Sequence, residues 1–413
     1  MEMTEIYLDN SATTRCSDEA AKVMAKVLTE DYGNPSSLHN KGMEAENYLK
    51  NTRKVIADSL KVDKNEIYFT SGGSESNNAV ILGYAAENPK KGKHVITTSI
   101  EHASVEMPFQ YLEQNGYEVT RLKVDQYGNI SLDELRDAIR EDTALVSLMH
   151  VNNEIGTVEP IEEAAEIIHE KNPNTVFHVD AIQSYGKIPV FPKRTGIDLL
   201  SVSGHKIHGP KGSGFLYIKD KVRVRPLVFG GGQERLMRSG TENVPAIAGL
   251  GTAVSEIFED LPGHLDEFVR LRKIFSDGIK DIDGLSINGP LVPYDGAMAK
   301  SYDGKKEFRT NAASDNETGI VAPYIISLSV QNVRAEVLLH ALEEKGIFVS
   351  AGSACSSNRT NVSRTLTAIH LPKNLFESTV RFSMSYHTTE AEITEAVKAL
   401  HEIVPMLQRY TRH

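Results

Sequence analysis

The chain has 413 residues, of which 40% are hydrophobic and 24% charged, the composition of a soluble globular protein with two or three domains. Its formal net charge of −11 argues against a general nucleic-acid binder, and its two cysteines are too few for a disulfide scaffold. No apolar run reaches the ~18 residues of a membrane span, and residues 1–9 lack the basic-then-apolar order of a signal peptide. We therefore expect a cytoplasmic protein with no membrane partner and no direct nucleic-acid partner.

Strand-like apolar runs alternate with helix-like stretches over the first two-thirds of the chain. Because the apolar runs are nearly continuous, the strands should be buried on both faces, which favours a mostly parallel sheet covered by helices. The predicted strands lie at residues 66–70, 94–98, 117–122, 144–150, 176–180 and 198–203, and the predicted helices at 77–86, 104–114, 132–140 and 161–170.

The pattern changes near residues 261–263, and the remainder predicts a smaller α+β domain. Residues 293–323 are rich in Gly, Lys, Asp, Asn and Ser, which indicates a long surface loop or hairpin. The predicted helices of this part lie at residues 266–282, 334–345 and 390–407, and the predicted strands at 285–287, 324–330, 348–350 and 380–385.

The sequence TSGGSES, residues 70–76, connects a predicted strand to a predicted helix. Backbone amides of such a loop can approach a phosphate closely, and the helix N-terminus adds a partial positive charge. The alternative is an ordinary helix start capped by serine. A Walker loop is excluded, because no Gly-Lys-Ser/Thr follows and because Lys211 fails the same spacing.

Lys206 ends the sequence SGHK, residues 203–206, directly after a predicted strand. A lysine at the carboxyl edge of a parallel sheet can point into the crevice where ligands bind, and a desolvated lysine amine is nucleophilic. Two alternatives stay open at this point. One is a solvated surface lysine, and the other is a metal site that includes His205 and His208 but lacks a third ligand at a clear spacing.

Asp180, Gln183 and His102 also follow predicted strands. A carboxylate at a strand end could pair with the ring nitrogen of pyridoxal 5′-phosphate (PLP), which serves as an electron sink when that nitrogen is protonated. Gln183 could bond the phenolic oxygen of the ring, and His102 could stack on the ring and transfer protons. Each residue alone could be structural, but their order along the chain points to a PLP enzyme.

Cys355 lies in SAGSACSS, residues 350–357, where small polar neighbours predict an accessible thiol. Catalytic thiols need such access, although an unpaired cysteine is more often buried and inert. Cys16 has no comparable setting and is predicted to be structural.

These motifs resemble the cysteine desulfurases of the NifS/IscS type, which are class V aminotransferases of PLP fold type I. The resemblance covers nearly the whole chain, and GSAC favours the NifS/IscS branch over the SufS-like one. It is carried by YLDNSATT (7–14), GNPS (33–36), TSGGSESN (70–77), HVNNEIG (150–156), HVDAIQS (178–184), SGHKIHGPKGSG (203–214), RSGT (238–241), GSACS (352–356) and VRFS (380–383).

The resemblance implies an α/β fold and a homodimer. The large PLP-binding domain, residues 16–262, would contain a mainly parallel seven-stranded sheet covered by helices. Residues 1–15 and 263–413 would form the smaller α+β domain, with a catalytic cysteine loop at 350–372. The 293–323 stretch is longer than the family usually has and is interpreted as an inserted surface loop, for example an element that binds a partner protein.

The resemblance also implies a role for each matching residue. Lys206 would carry PLP covalently, and Cys355 would take sulfur from L-cysteine as a persulfide. The sulfur would then pass to an acceptor protein for iron–sulfur clusters, thio-cofactors or tRNA thiolation. His102 would stack on the ring and transfer protons. Asp180 and Gln183 would contact the ring. The phosphate would be held by Gly73, Ser74, Ser203 and His205, together with Thr241 of the partner subunit. The substrate carboxylate would bind Asn34, Asn153 and Arg381; Asn153 would also border the cofactor, and no metal is implied.

Other functions are less compatible with this sequence. An aminotransferase would need no thiol in the GSAC segment, whereas a selenocysteine lyase cannot be distinguished by sequence. A scaffold without activity would not need every cofactor position to be filled. A metal hydrolase built on His178, Asp180, His205 and His208 is the remaining alternative.

Overall fold

Strands and helices alternate along the first two-thirds of the chain, as predicted. The computed structural model describes residues 5–296, 298, 318–351 and 363–410. The strands are β1 (Ile6–Tyr7), β2 (Ile67–Thr70), β3 (His94–Thr98), β4 (Glu118–Leu122), β5 (Thr143–Met149), β6 (Val176–Asp180), β7 (Leu199–Ser203), β8 (Gly214–Ile218), β9 (Leu285–Asn288), β10 (Val292–Pro293), β11 (Ile320–Val321), β12 (Ile325–Val330), β13 (Ile347–Phe348), β14 (Ser350–Ala351) and β15 (Thr379–Ser383).

The helices of the structure match the predicted ranges 104–114, 132–140, 161–170 and 334–345 to within two residues at each end. They are α1 (Asp18–Thr29), α2 (Asn40–Leu60), α3 (Gly73–Glu87), α4 (Ala103–Gln114), α5 (Leu132–Ala138), α6 (Ile161–Lys171), α7 (Pro192–Thr195), α8 (Val244–Phe258), α9 (Leu261–Gly278), α10 (Ala335–Glu343), α11 (Arg364–Ala368), α12 (Lys373–Phe376) and α13 (Glu390–Tyr410). None of the helices in the described ranges has the length and apolar character needed to cross a bilayer.

A seven-stranded sheet of order β2-β8-β7-β6-β5-β3-β4 forms the centre of the larger unit. Neighbouring strands from β7 to β4 pair in parallel, and only β8 runs antiparallel to its neighbours. Every residue of β3, β5, β7 and β8 is buried, as expected for strands covered by helices on both faces. The α/β fold class with a mainly parallel sheet is therefore confirmed.

Several elements differ from the sequence prediction, and among them α1, α2 and α8 were not predicted individually. Strand β8 was not predicted individually, because its five residues form too short an apolar run to separate from the glycine-rich segment before it. Helix α9 begins at Leu261 rather than at residue 266. The cause is the Asp260 side chain, which accepts the backbone N–H of Gly263 at 3.1 Å and caps the helix one turn earlier.

A second sheet, of order β14-β15-β12-β9, lies in the C-terminal part of the chain. Its buried apolar residues pack with α9, α10, α13 and the N-terminal Ile6 and Leu8 in one cluster. Strand β1 pairs in parallel with β13, which attaches the N-terminal segment to this second core. The division at 16–262 against 1–15 and 263–413 stays a prediction.

The predicted insertion at 293–323 is only partly described, because residues 297 and 299–317 lie outside the described residues. Its two ends pair with each other through β10 and β11, with Val292 opposite Ile320. The pairing is parallel, so the hairpin alternative is wrong for these ends, because a hairpin joins antiparallel strands.

Candidate active site

A cavity of about 530 Å³ opens at the carboxyl edge of the seven-stranded sheet. Ligands of open α/β sheets bind at this edge, and the volume suits a small cofactor together with its substrate. The structure brings ten of the predicted site residues to its wall: Gly73, Ser74, His102, Asn153, Asp180, Gln183, Ser203, His205, Lys206 and Arg381.

One end of the cavity is the N-terminus of α3. No described side chain caps this helix, and Gly72 before it has a φ of 142°, which glycine adopts at little cost. A Cβ on Gly73 would lie 2.2 Å from Ile182 Cδ1, so a side chain here would collide with the segment after Asp180. Ser203 borders the same end, which leaves backbone amides and hydroxyls facing the cavity in the manner of a phosphate site.

A chain of hydrogen bonds connects Asp180 to His102 across the cavity floor. Asn77 Nδ2 donates to Asp180 Oδ2 at 2.8 Å and approaches Ser104 Oγ at 2.9 Å. Ser104 Oγ lies 2.8 Å from His102 Nδ1, which also accepts the backbone N–H of Ser104 at 3.1 Å. Nδ1 is therefore an acceptor, so the neutral ring carries its proton on Nε2.

Burial sets the protonation behaviour of both ends of this chain. It raises the pKa of Asp180, while the backbone N–H of Ile182 and the Asn77 amide counteract the increase. It lowers the pKa of His102, against the opposite effect of Asp180. A buried carboxylate of this kind is stabilised in its charged form by a cation placed against it, which a protonated ring nitrogen would provide.

Lys206 reaches the cavity from the turn after β7. Its Nζ donates to the carbonyl oxygens of Ser11 and Ala12 at 2.6 and 2.7 Å. The N-terminal segment is held there because the Ser11 N–H donates to Ser383 Oγ on β15 at 2.8 Å. Gln183 Nε2 donates to the same Ser11 carbonyl at 2.9 Å, so the Lys206 amine and the Gln183 amide share one hydrogen-bond acceptor.

Arg381, on β15, forms the opposite wall. Its guanidinium donates to the Asn153 carbonyl at 2.8 Å and to Asp9 Oδ1 at 2.9 Å. Arg381 Nε is buried and has no hydrogen-bond partner among the described residues. The guanidinium is therefore held in place by two partners and still has N–H donors that they do not use. These donors can bind a small carboxylate.

The structure does not bring every predicted residue to the cavity. Asn34 and Thr241 are absent from its described wall, and Asn34 Oδ1 instead accepts the backbone N–H of Ser36 at 2.9 Å. Thr241 is exposed, as a residue that serves a partner subunit would be. Cys355 and the rest of residues 352–362 lie outside the described residues. Cys16 is partly buried, and burial raises the pKa of its thiol, which agrees with a structural role.

The residues of the alternative metal site do not converge in the described structure. His178 is fully buried within the sheet, and its ring nitrogens lie 2.8 and 2.9 Å from Ser147 Oγ and Ser201 Oγ. His208 Nδ1 lies 2.8 Å from the Arg15 carbonyl. Within the described ranges, no group of three or more His, Cys, Asp or Glu side chains is arranged to hold a metal ion.

Sequence reasoning missed several residues that shape the site. Asn77 ends the TSGGSESN motif, but its contacts with Asp180 and Ser104 depend on how α3 packs on the sheet. Lys187 and Tyr324 were also missed. Lys187 is 4% exposed, and its Nζ lies 5.0 Å from the centroid of the Tyr324 ring. Lysine is seldom buried so deeply, and the positive charges of Lys206 and Arg381 add to the effect of burial in lowering its pKa.

Lys187→Met is expected to stabilise the protein at pH 7. Burial, Lys206 and Arg381 lower the pKa of Lys187 to about 7, whereas an unfolded lysine titrates near ~10.4. Between these pH values the unfolded chain binds a proton that the native state does not, so this residue makes the free energy of unfolding rise with pH. The variant should be more stable at pH 7, by up to a few kcal/mol, with a flatter rise toward pH 10.

Urea unfolding at pH 7, 8, 9 and 10 measures this effect. Lys171→Met, at an exposed position on α6, is the control and should keep the wild-type dependence. Parallel pH profiles for wild type and Lys187→Met would contradict the low pKa.

The residues present fit PLP. The uncapped start of α3 suits a phosphate, the buried Asp180 suits a protonated ring nitrogen, and the Lys206 amine reaches the space between them. Gln183 Oε1 is buried without a hydrogen-bond partner among the described residues, which leaves a polar atom facing this space. Burial and the nearby lysines lower the pKa of His205 to about 4, so His205 is a neutral hydrogen-bonding group at neutral pH.

Comparison with known proteins agrees with this geometry. The sequence profile of the aminotransferase class-V family matches residues 6–299 and 306–395. The chain belongs to this family. Members of the family with the NifS-like fold depend on PLP.

Among curated relatives, the chain is 40% identical over 403 residues to a protein named cysteine desulfurase IscS from Methanosarcina thermophila, covering 98% of this chain and 93% of the relative. It is similar to a solved structure named NifS-like protein, with a TM-score of 0.85, 35% identity and coverage of 98% and 100%. A structure described as SspA in complex with cysteine has a TM-score of 0.75, 32% identity and coverage of 94% and 100%. Within its family, the chain thus belongs with the cysteine desulfurases of the NifS/IscS type.

Proposed function

We propose that this protein is a PLP-dependent cysteine desulfurase, which converts L-cysteine to L-alanine and transfers the sulfur to Cys355. The observation that carries the proposal is the convergence of the Lys206 amine, the buried Asp180 carboxylate and the Arg381 guanidinium on one cavity. The relatives named cysteine desulfurase and the neighbour described with cysteine support the choice of reaction.

Substrate binding is assigned to the wall opposite the sheet. Arg381 is held by Asp9 and by the Asn153 carbonyl, so its remaining donors have a fixed direction. A planar guanidinium binds a carboxylate through two parallel hydrogen bonds, which orients the bound amino acid as well as holding it. The side chain of Asn153 lines the same wall and is assigned to the substrate and the cofactor.

The proton transfers are assigned to Lys206 and His102. PLP, when bound, withdraws electrons from the substrate Cα and so permits loss of its proton and cleavage of the Cβ–S bond. Lys206 first holds the cofactor and then, as a neutral amine, takes the Cα proton. The Nδ1 atom of His102 accepts the backbone N–H of Ser104, so the ring carries its proton on Nε2. His102 can donate this proton to the substrate during the reaction.

Sulfur transfer is assigned to Cys355. Its thiolate attacks the substrate sulfur, a new S–S bond forms, and the Cβ–S bond breaks with its electron pair going to the substrate carbon. Protonation of that carbon and return of a proton to Cα yield alanine, and Cys355 is left as a persulfide. An acceptor protein, either an iron–sulfur scaffold or a tRNA-thiolation protein, then removes the outer sulfur.

We also propose that the active form is a cytoplasmic homodimer. Phe229 and Leu236 are 71% and 64% exposed, and they lie on the segment that leads to Thr241. Large apolar side chains that are exposed along one short segment favour an interface there. A second copy that covers this surface would bring Thr241 of the partner subunit to the phosphate end of the cavity.

The function is tested by product stoichiometry. Purified protein supplied with PLP, L-cysteine and a thiol reductant should form alanine and sulfide in a 1:1 ratio over many turnovers. D-cysteine serves as a control, because the fixed carboxylate site and the Lys206 amine address one face of the substrate. Alanine without sulfide, or no product from a yellow preparation, would exclude the proposed reaction.

A further inference from the structure

The turn Asn152–Ile155 connects the substrate wall to a more distant element. Asn152 is fully buried, and its Oδ1 accepts the backbone N–H groups of Glu154 and Ile155 at 2.9 and 3.0 Å. Its Nδ2 lies 3.3 Å from Thr365 Oγ1 on α11. The turn that presents Asn153 to the cavity is therefore attached to the helix that follows residues 352–362.

Glu154 makes a second direct contact between these two elements. Ser363 Oγ donates to Glu154 Oε2 at 2.5 Å and accepts the backbone N–H of Leu366 at 3.0 Å, so Ser363 caps α11 and binds the turn at once. A hydrogen bond to a carboxylate in a partly buried position is stronger than one between neutral groups.

A separate ion pair also holds the start of α11. Arg364 Nη2 lies 3.0 Å from Glu106 Oε2, and the Glu106 side chain is only 3% exposed. Glu106 is on α4, the helix that starts directly after His102. The start of α11 is thus held by the elements that carry Asn153 and His102.

The preceding end of the same segment is attached to the substrate wall as well. In β14, Ser350 pairs with Arg381 and Ala351 with Val380. Residues 352–362, which include Cys355, connect Ala351 to Ser363. Both described ends of the segment that contains Cys355 are therefore attached to elements that carry residues assigned to the substrate.

We propose that Glu154 is a positioning residue for sulfur transfer, which holds Ser363 and thereby fixes the point at which the chain re-enters the described structure after the segment that contains Cys355. This inference rests on the proposed function. Glu154 acts at the step of sulfur transfer and has little part in binding cysteine, because its side-chain hydrogen bond goes to Ser363, whereas the carboxylate of the substrate is assigned to Arg381.

Glu154→Ala is expected to lower kcat by about tenfold or more, the effect of losing a charge-assisted hydrogen bond, with KM for L-cysteine changed less than about threefold. The PLP absorbance and its change on adding cysteine should stay as in wild type. Glu154→Gln keeps an oxygen that accepts from Ser363 and should recover most of the rate. The rate of persulfide formation on Cys355, followed by mass spectrometry in a single turnover, should fall in parallel with kcat.

A double-mutant cycle separates a direct contact from two unrelated defects. Ser363→Ala alone should reproduce the loss, and Glu154→Ala with Ser363→Ala should lose little more than either single variant. If Ser363→Ala acted only through loss of the α11 cap, its defect would be independent of Glu154. The fold-losses in kcat of the two single variants would then multiply in the double variant. Glu392→Ala is the matched control, because it removes a threonine–glutamate contact of 2.9 Å at the start of α13 and should retain wild-type kcat.

The inference is overturned if Glu154→Ala keeps kcat within threefold of wild type, or if the losses of the two single variants multiply. If Glu154→Ala does not bind PLP, Ser363→Ala replaces it in the test, and a kcat of Ser363→Ala within threefold of wild type overturns the inference. Glu154→Gln should then still show most of the wild-type kcat. Failure of the proposed function is a different result, because wild type itself would then form no alanine and sulfide from cysteine.

Discussion

Lys206→Ala is expected to abolish turnover of L-cysteine, by at least ~10³-fold, and to remove the yellow absorbance of protein-bound PLP. Lys206 reaches the cavity from the turn after β7, with its amine 2.6 Å from the Ser11 carbonyl and close enough to Asp180 and His102 to influence their pKa values. It is assigned both the covalent hold on the cofactor and the transfer of the Cα proton, so its loss removes two functions at once.

Lys206→Arg is the informative comparison for this prediction. Arginine retains the positive charge that counteracts burial of Asp180, but its guanidinium stays protonated and serves neither as nucleophile nor as base. The variant should therefore fold as wild type does and be as inactive as Lys206→Ala. Absorbance between 300 and 500 nm and alanine release measure the two effects. Substantial activity in either variant would show that another amine, such as Lys187, performs the chemistry.

The sequence could predict the parts of the site that depend on the order of the chain. Asp180, Ser203 and His102 each follow or end a strand, and parallel strands bring their carboxyl ends to one edge. Lys206 follows the strand next to that of Asp180, so their convergence is also a consequence of topology. The roles of Gly73 and Ser74 follow similarly from a strand–loop–helix pattern.

The rest depends on tertiary packing. Asn77 meets Asp180 because α3 packs against the sheet with one particular face, and several residues of that helix have similar buried positions. Lys187 lies four residues after Gln183 in a segment whose apolar neighbours predict only burial, whereas the Tyr324 ring beside it comes from the second core. Ser363 and Glu154 are far apart in sequence, and neither is in a motif that predicts their contact.

Cys355→Ala is expected to retain the yellow colour of bound PLP and to lose production of alanine and sulfide, by at least ~10²-fold. Described residues that include Asp180, Lys206 and Arg381 form the wall of the cavity, so cofactor binding should persist. Cysteine should still change the PLP absorbance, because Arg381, Asn153 and Lys206 remain. What is lost is the nucleophile that accepts the sulfur, so the reaction stops before the Cβ–S bond breaks.

Cys16→Ala provides the matched control, since the chain has only these two cysteines. Cys16 is partly buried, and burial raises the pKa of its thiol, which disfavours the thiolate that sulfur transfer requires. This variant should keep wild-type rates and should carry a persulfide on Cys355 after reaction with cysteine. Full sulfide production by Cys355→Ala would contradict the assignment of the nucleophile. A persulfide found on Cys16 in that variant would move the acceptor role there, because no third thiol exists in the chain.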